Sequence, residues 1–348
     1  MRIESNVTSL SWIPSEAVTG LNKAIFGSGF THYDDPPPDT IVDLVALRDA
    51  DRFRFANVLR AWVEVNDGIV TDGGYDGGCE MGATTIALGS KQATFAAVSF
   101  PVLQQPIETG GTSVRFVQTT GGHTAVPAPR RVRHAPFVAF EAPTVWTTLA
   151  LTLHADGRSE FELIGASSFP RHWVYDADGA LAAKAGLADF KEWWRTSFGT
   201  HTPWGDTDSP AMVTEVESAI ERELATHIMR NGQKPSYRKL KAGDLLTEQG
   251  AAGGELYLLL NGVLAVEVDG ERLAELGPGA ILGERAVLEG GAFTATNRAL
   301  TKVKVAVATP DQIDLAILAA ISEGHRREDQ RPGAIAADVA PVDDAIDR

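Results

Sequence analysis

Between Phe53 and Trp194 apolar and polar residues alternate in short runs broken by turn residues at close intervals, and no other feature of the chain restricts its fold as much. Alternation sends every second side chain to one face of an extended strand, so such a stretch must bury one face of a sheet. Leu149, Leu151 and Leu153 alternate with Thr148, Ala150 and Thr152. Asp156-Gly157 then turns the chain, and Phe161 and Leu163 resume the pattern, which predicts a hairpin. The same grammar recurs around Trp62-Val63-Glu64-Val65 with Asn66-Asp67-Gly68 as the turn, around Val114-Arg115-Phe116-Val117, and around Trp173-Val174-Tyr175 with Asp178-Gly179. Residues 1–200 are therefore expected to form an all-β domain, a sandwich or a barrel. Pro36-Pro37-Pro38 sits in neither strand nor helix, one helix is expected within Thr40–Arg54, and a short one near Asp189–Trp194.

A chain of 348 residues exceeds the roughly 100–200 of one domain, so two are expected. The formal charge of −15 repels nucleic acid and anionic membrane surfaces, and neither is an expected partner. The one basic cluster, Arg130-Arg131-Val132-Arg133-His134, follows Pro127 and Pro129 and reads as a solvated strand edge. The single Cys79 excludes a disulfide framework and a cysteine zinc site, and no His-x-His or His-Glu-x-x-His pair occurs, so no metal is expected. No signal peptide is recognisable and no apolar run approaches the ~18 residues of a membrane span, which predicts a soluble, cytoplasmic protein.

Gly199–Asp206 has linker composition, and the domain boundary is expected over residues 201–209. Ser209-Pro210 reads as an N-cap with Pro at the first helical position. Met212, Val216, Ile220, Leu224 and Ile228 recur every four residues, predicting a helix over Pro210–Arg230. Thr309-Pro310-Asp311-Gln312 has the form of a capping box and opens a second helix, with Ile313, Ile317 and Ile321 as its buried stripe and Gly324 as its end. Residues 325–348 are expected to be a mobile acidic tail, and the two apolar stripes to support a homo-oligomer.

Between these helices run Leu240-Lys241-Ala242-Gly243-Asp244, Glu248-Gln249-Gly250, Leu256-Tyr257-Leu258-Leu259-Leu260-Asn261-Gly262 and Leu276-Gly277-Pro278-Gly279-Ala280-Ile281-Leu282-Gly283-Glu284-Arg285-Ala286. This series resembles the cyclic nucleotide-binding domain over residues 210–324. The resemblance implies a jelly roll flanked by helices, a regulatory or sensor role, and cyclic AMP or cyclic GMP as ligand. It also implies roles. Glu284 accepts a hydrogen bond from the ribose, while Gly283 and Ala286 lend backbone N–H groups to the phosphate at the start of a one-turn helix. In the segment Phe293-Thr294-Ala295, Phe293 stands where the family has its phosphate-binding Arg. Loss of that charge-assisted contact, worth about 1.5–3 kcal/mol, predicts at least a roughly tenfold weaker hold on a cyclic phosphate. Arg285 is positioned to swing in, whereas Arg298 matches a basic position outside the pocket.

Transcription factors of this superfamily carry a helix-turn-helix behind the second helix. Residues 325–348, with Pro332, Pro341 and many acids, are too few for one, so no DNA-binding module is expected. In the amino-terminal half, runs such as Ser11-Trp12-Ile13-Pro14-Ser15-Glu16 and Phe169-Pro170-Arg171-His172-Trp173-Val174-Tyr175-Asp176 resemble those of uncharacterised bacterial proteins that also end in this domain, and no activity comes with the likeness. Three readings follow. The first is a regulator whose carboxyl-terminal domain controls or docks the β domain. The second is an enzyme with His32, His123 or His172 beside Asp34 or Asp176 in that β domain, its catalytic residues unassigned. The third is a structural or assembly protein in which Phe293 fills a degenerate nucleotide pocket.

Overall fold

The alternating runs form the hairpins their pattern predicts. In the computed structural model, which describes residues 1–27, 32–88, 91–125, 128–131, 138–188, 190–197, 202–205, 209–230, 235–310, 313 and 315–324, the amino-terminal half is built from strands in antiparallel pairs. These are β1 (Arg2–Trp12), β2 (Phe55–Asn66), β3 (Ile69–Tyr75), β4 (Gly78–Met81), β5 (Ala83–Leu88), β6 (Lys91–Ala96), β7 (Val98–Ser99), β8 (Leu103–Gln104), β9 (Ser113–His123), β10 (Ala128–Arg131), β11 (Val138–Glu141), β12 (Thr144–His154), β13 (Ser159–Ala166), β14 (Arg171–Tyr175) and β15 (Leu181–Ala185). One sheet has the order β15-β14-β1-β2-β3 with β4 also on β2; the other has the order β13-β12-β9-β7 with β8 also on β9. β5 pairs with β6, and β10 with β11.

The two large sheets share no strand and pack face to face, so the domain is a sandwich. Val7, Leu59 and Val63 from the first meet Phe116, Leu149, Leu151 and Leu153 from the second. Each of these three leucines is at most 1% exposed and contributes about 1.5–3 kcal/mol by burial. The β2–β3 turn needs two positive φ angles, and Asp67 (φ 50°) and Gly68 (φ 75°) supply them. Short helices α1 (Leu21–Gly27), α2 (Leu44–Asp49) and α3 (Phe190–Thr196) accompany the sandwich. The carboxylate of Asp43 caps α2 by accepting from the Ala46 N–H at 3.0 Å.

The helix predicted over Pro210–Arg230 begins only at Ala219, as α4 (Ala219–Arg230). Ahead of it the chain is extended, because the sandwich's edges offer better partners than a helical turn. Ala166 N donates to Ser209 O at 3.1 Å, Ala211 N to Ile164 O at 3.2 Å and Thr214 N to Lys184 O at 2.9 Å. Met212 and Ile220 of the predicted stripe are accordingly exposed, while Leu224 and Ile228 are buried. The helix start is a capping box nine residues further on: Glu221 N donates to Ser218 Oγ at 3.2 Å, and Ser218 N to Glu221 Oε2 at 2.8 Å.

Beyond α4 come β16 (Ser236–Leu240), β17 (Leu245–Thr247), β18 (Leu256–Asn261), β19 (Leu264–Val268), β20 (Glu271–Leu276), β21 (Ile281–Leu282), α5 (Glu284–Glu289), β22 (Thr296–Ala299), β23 (Val303–Ala308) and α6 (Leu315–Gly324). Two four-stranded sheets, β16-β23-β18-β21 and β17-β22-β19-β20, make the expected jelly roll. Leu259, Leu264 and Val305 fill the space between them, while Leu256, Leu258 and Leu260 bury the other face of β18 under α4 and α6. This double burial is why residues 256–260 are continuously apolar rather than alternating. The stripes behind the expected homo-oligomer, Leu224 and Ile228 on α4 and Ile321 on α6, pack here inside one chain. Asp311 and Gln312 of the expected second capping box, His201 and residues 206–208 of the expected linker, and the expected tail all lie outside the described residues. Among the described residues no helix is long and apolar enough to cross a membrane.

Candidate functional site

Gly283, Glu284, Arg285, Ala286, Phe293, Thr294 and Ala295 surround one cavity, together with Val266, Leu276, Ile281, Leu282 and Asn297. Its enclosed part measures ≈ 50 Å³, and the whole cleft, solvent-open part included, ≈ 510 Å³. The local chain dictates this arrangement. Gly283 (φ 90°) precedes α5 in the left-handed region, and a Cβ there would lie 2.6 Å from the Glu255 carbonyl oxygen, so only glycine fits. Gly290 (φ 60°) ends the helix and returns the chain toward Phe293.

Phe293 is pinned by its backbone: its N–H donates to Ala251 O at 2.9 Å and its carbonyl accepts from Gly250 N at 2.8 Å. Its ring lies against Gly253, where a Cβ would come within 3.0 Å of two ring carbons, and its centroid is 6.3 Å from that of Tyr257. The Tyr257 hydroxyl donates to Glu255 Oε2 at 2.8 Å, and burial together with that carboxylate pushes it up to about 12. Arg285 Nε is 3.5 Å from Glu289 Oε1 on its own helix. Arg298 faces outward and holds Glu267 through Nε (3.0 Å) and Nη2 (3.1 Å).

Asn297 escaped the sequence reading. Ala295, just ahead of β22, and Asn297 and Ala299 within it are buried at every second position, so a polar residue within an apolar alternation was the available signal.

A second feature missed from sequence joins the cleft to the sandwich. Lys184 on β15 donates its ammonium to the carboxylate of Glu217 and, at 3.2 Å, to the carbonyl of Pro278. Both charged side chains are almost fully buried. Burial pulls the Lys184 ammonium down from the usual lysine range, against the attraction of Glu217. Gly279 (φ 102°) lets the turn approach: a Cβ there would sit 2.8 Å from Glu217 Oε1. Two residues on, Ile281 N donates to Glu221 Oε1 at 3.1 Å, so the strand leading into Gly283 is bonded to the cap of α4.

The amino-terminal candidates do not assemble a comparable constellation. His172 is sealed between the sheets. A carbonyl can only accept, so Nε2–H donates to Ser167 O at 2.9 Å and the Ser11 hydroxyl donates to Nδ1 at 2.7 Å. Burial lowers its pKa to about 4. Asp34 is buried, accepting from Ile13 N at 2.7 Å and pairing with Arg54 at 2.7 Å, while His32 Nε2 lies 3.9 Å away. Burial raises the Asp34 pKa, against the Arg54 charge. His123 Nδ1 is 2.8 Å from Ala142 O, and Asp176 accepts from the N–H groups of its own turn, Asp178 and Ala180. Among the described residues no three His, Cys, Asp or Glu side chains converge as a metal site requires.

Residues 237–318 match the family model of the cyclic nucleotide-binding domain. No curated protein matches the chain. Among solved structures it is similar to PKAR CBD2 with Sp-2Cl-cAMPS bound, at 19% identity over 32% of this chain and 71% of that one, TM-score 0.25. It is also similar to the regulatory subunit of a cAMP-independent protein kinase A from Trypanosoma brucei, at 24% identity over 33% of this chain and 40% of that one, TM-score 0.25. On the family match and the two-sheet roll that carries it, the carboxyl-terminal part of the chain is a cyclic nucleotide-binding domain.

Proposed function

We propose that the protein is a ligand-responsive regulator in which the cleft at Gly283–Ala286 and Phe293–Ala295 takes a small nucleotide-type molecule and the jelly roll thereby controls the sandwich. The buried joint carries this reading. Pro278 is bonded to Lys184 and Ile281 to Glu221, so a shift of α5 on ligand entry alters contacts that belong to the sandwich and to α4. By family resemblance Glu284 accepts from the ribose, and backbone N–H groups of Gly283 and Ala286 meet the phosphate. With Phe293 in place of the family's Arg, cyclic AMP and cyclic GMP are held weakly, and Phe293→Arg should gain roughly ten- to a hundredfold in affinity for them.

The test is amide hydrogen exchange on the full chain and on its Phe293→Arg variant, with and without cyclic AMP or cyclic GMP, binding being followed by calorimetry. Altered exchange both at 281–295 and at 181–185 is the expected result. Binding that leaves 181–185 unchanged would refute control of the sandwich. Absence of binding by either protein would favour the scaffold reading, to which the packing of Phe293 against Gly253 already lends some weight.

A further inference from the structure

We infer that this cleft selects its ligand through hydrogen-bond donors rather than through an anionic group, the class being an uncharged heterocycle that carries hydroxyl or amino groups, of nucleoside size. The inference rests on the regulator reading and narrows its ligand.

Asn297 is the starting point. The Thr247 hydroxyl has one proton, and it goes to the Ala295 carbonyl at 3.1 Å; toward Asn297 the same oxygen therefore accepts, from Nδ2 at 2.8 Å. This fixes which way the amide faces and turns Oδ1 away from Thr247. Asn297 is 6% exposed, lines the cavity, and its Oδ1 is buried with no hydrogen-bond partner. A buried acceptor left unpaired is unfavourable, and a ligand donor relieves it. Glu284, 8% exposed, adds a carboxylate, which when ionised only accepts. Among the described lining residues the one cation is Arg285, and it faces Glu289 on its own helix.

Apart from Thr294 the remaining side chains of the wall are apolar, with Val266, Leu276 and the ring of Phe293 suited to the face of a heterocycle. A phosphate brought here finds the backbone N–H groups at the start of α5 but no side-chain cation committed to it, since Arg285 faces Glu289, and it also meets the acceptor oxygens of Asn297 and Glu284. A hydroxylated or amino-bearing ring brings a donor that satisfies Asn297 Oδ1; only ≈ 50 Å³ of the cleft is enclosed, so the rest of such a ligand lies in its solvent-open part.

Calorimetry of the full chain with adenosine, guanosine, cyclic AMP and cyclic GMP tests this. At least one nucleoside should bind about tenfold or more tightly than its cyclic monophosphate. Asn297→Leu should lower nucleoside affinity by a similar factor. Should that variant fail to fold, as judged by its thermal unfolding, Glu284→Gln serves in its place, since it alters the acceptor at nearly constant shape. A cyclic monophosphate that binds the unmodified protein as tightly as its nucleoside overturns the inference and leaves the regulator reading standing. Nucleoside affinity untouched by both substitutions overturns it as well. Absence of nucleoside binding, with cyclic nucleotides captured only by Phe293→Arg, overturns the ligand class alone. Absence of binding in both proteins removes the regulator reading with it.

Discussion

Lys184→Met tests the joint at its most sensitive point, because methionine keeps most of the side chain's length and removes only the charge. The Lys184 and Glu217 side chains are 2% and 1% exposed, and Glu217 Oε1 already has no hydrogen-bond partner. Breaking one half of such a pair leaves a buried carboxylate uncompensated, at a cost of about 3–5 kcal/mol. That is a large fraction of the roughly 5–15 kcal/mol that holds a typical domain folded. Removing both charges, in Lys184→Met with Glu217→Leu, spares the desolvation of each and should recover most of the loss, so the two changes are strongly non-additive. A two-domain chain need not unfold in one step, so the assay is native-state hydrogen exchange at residues 181–185 and 277–281 alongside urea unfolding. Both segments are expected to lose protection together in the single variant and to regain it in the double. A single-variant cost under about 1 kcal/mol, or a double variant equal to the sum of its parts, would refute the argument that this pair fastens the jelly roll to the sandwich.

Gly279→Ala should lower the thermal midpoint, since its φ of 102° strains any side chain, at about 1–3 kcal/mol, and the added Cβ would meet Glu217 Oε1 at 2.8 Å; an unchanged melting curve would show that the turn has slack. Glu221→Ala should cost about 1 kcal/mol through the lost helix cap and about 1–3 kcal/mol through the orphaned Ile281 N–H, measured by urea unfolding. His172 carries a pH prediction. Its folded pKa of about 4 lies below the ordinary 6.5, so between these values the unfolded chain binds a proton that the folded chain does not. Stability should therefore fall as pH drops from about 6.5 toward about 4, by about 3 kcal/mol in all, and His172→Gln should flatten that slope when urea midpoints are compared across the window.

What the residues determine by themselves here is local. Alternation and turn chemistry specify the β2–β3 and β12–β13 hairpins, because strand periodicity and a positive-φ turn are properties of a few consecutive residues. Gly283–Ala286 and Phe293–Ala295 are legible for the same reason: a glycine before a one-turn helix, and a short segment beside it, form a compact piece of chain. Position in three dimensions decides the rest. Ser209-Pro210 has the composition of a helix start, yet the free edges of β13 and β15 claim that stretch and delay the helix to the Ser218–Glu221 box. Asn297 matters only because Thr247, fifty residues earlier, takes its amide nitrogen and turns its oxygen away. Lys184, Glu217 and Pro278 are unremarkable as a surface lysine, a surface glutamate and a turn proline until two sheets and a helix close over them. Burial then makes their ion pair one of the fastenings between the halves of the chain, since a charge removed from water must be met by a partner from elsewhere in the fold.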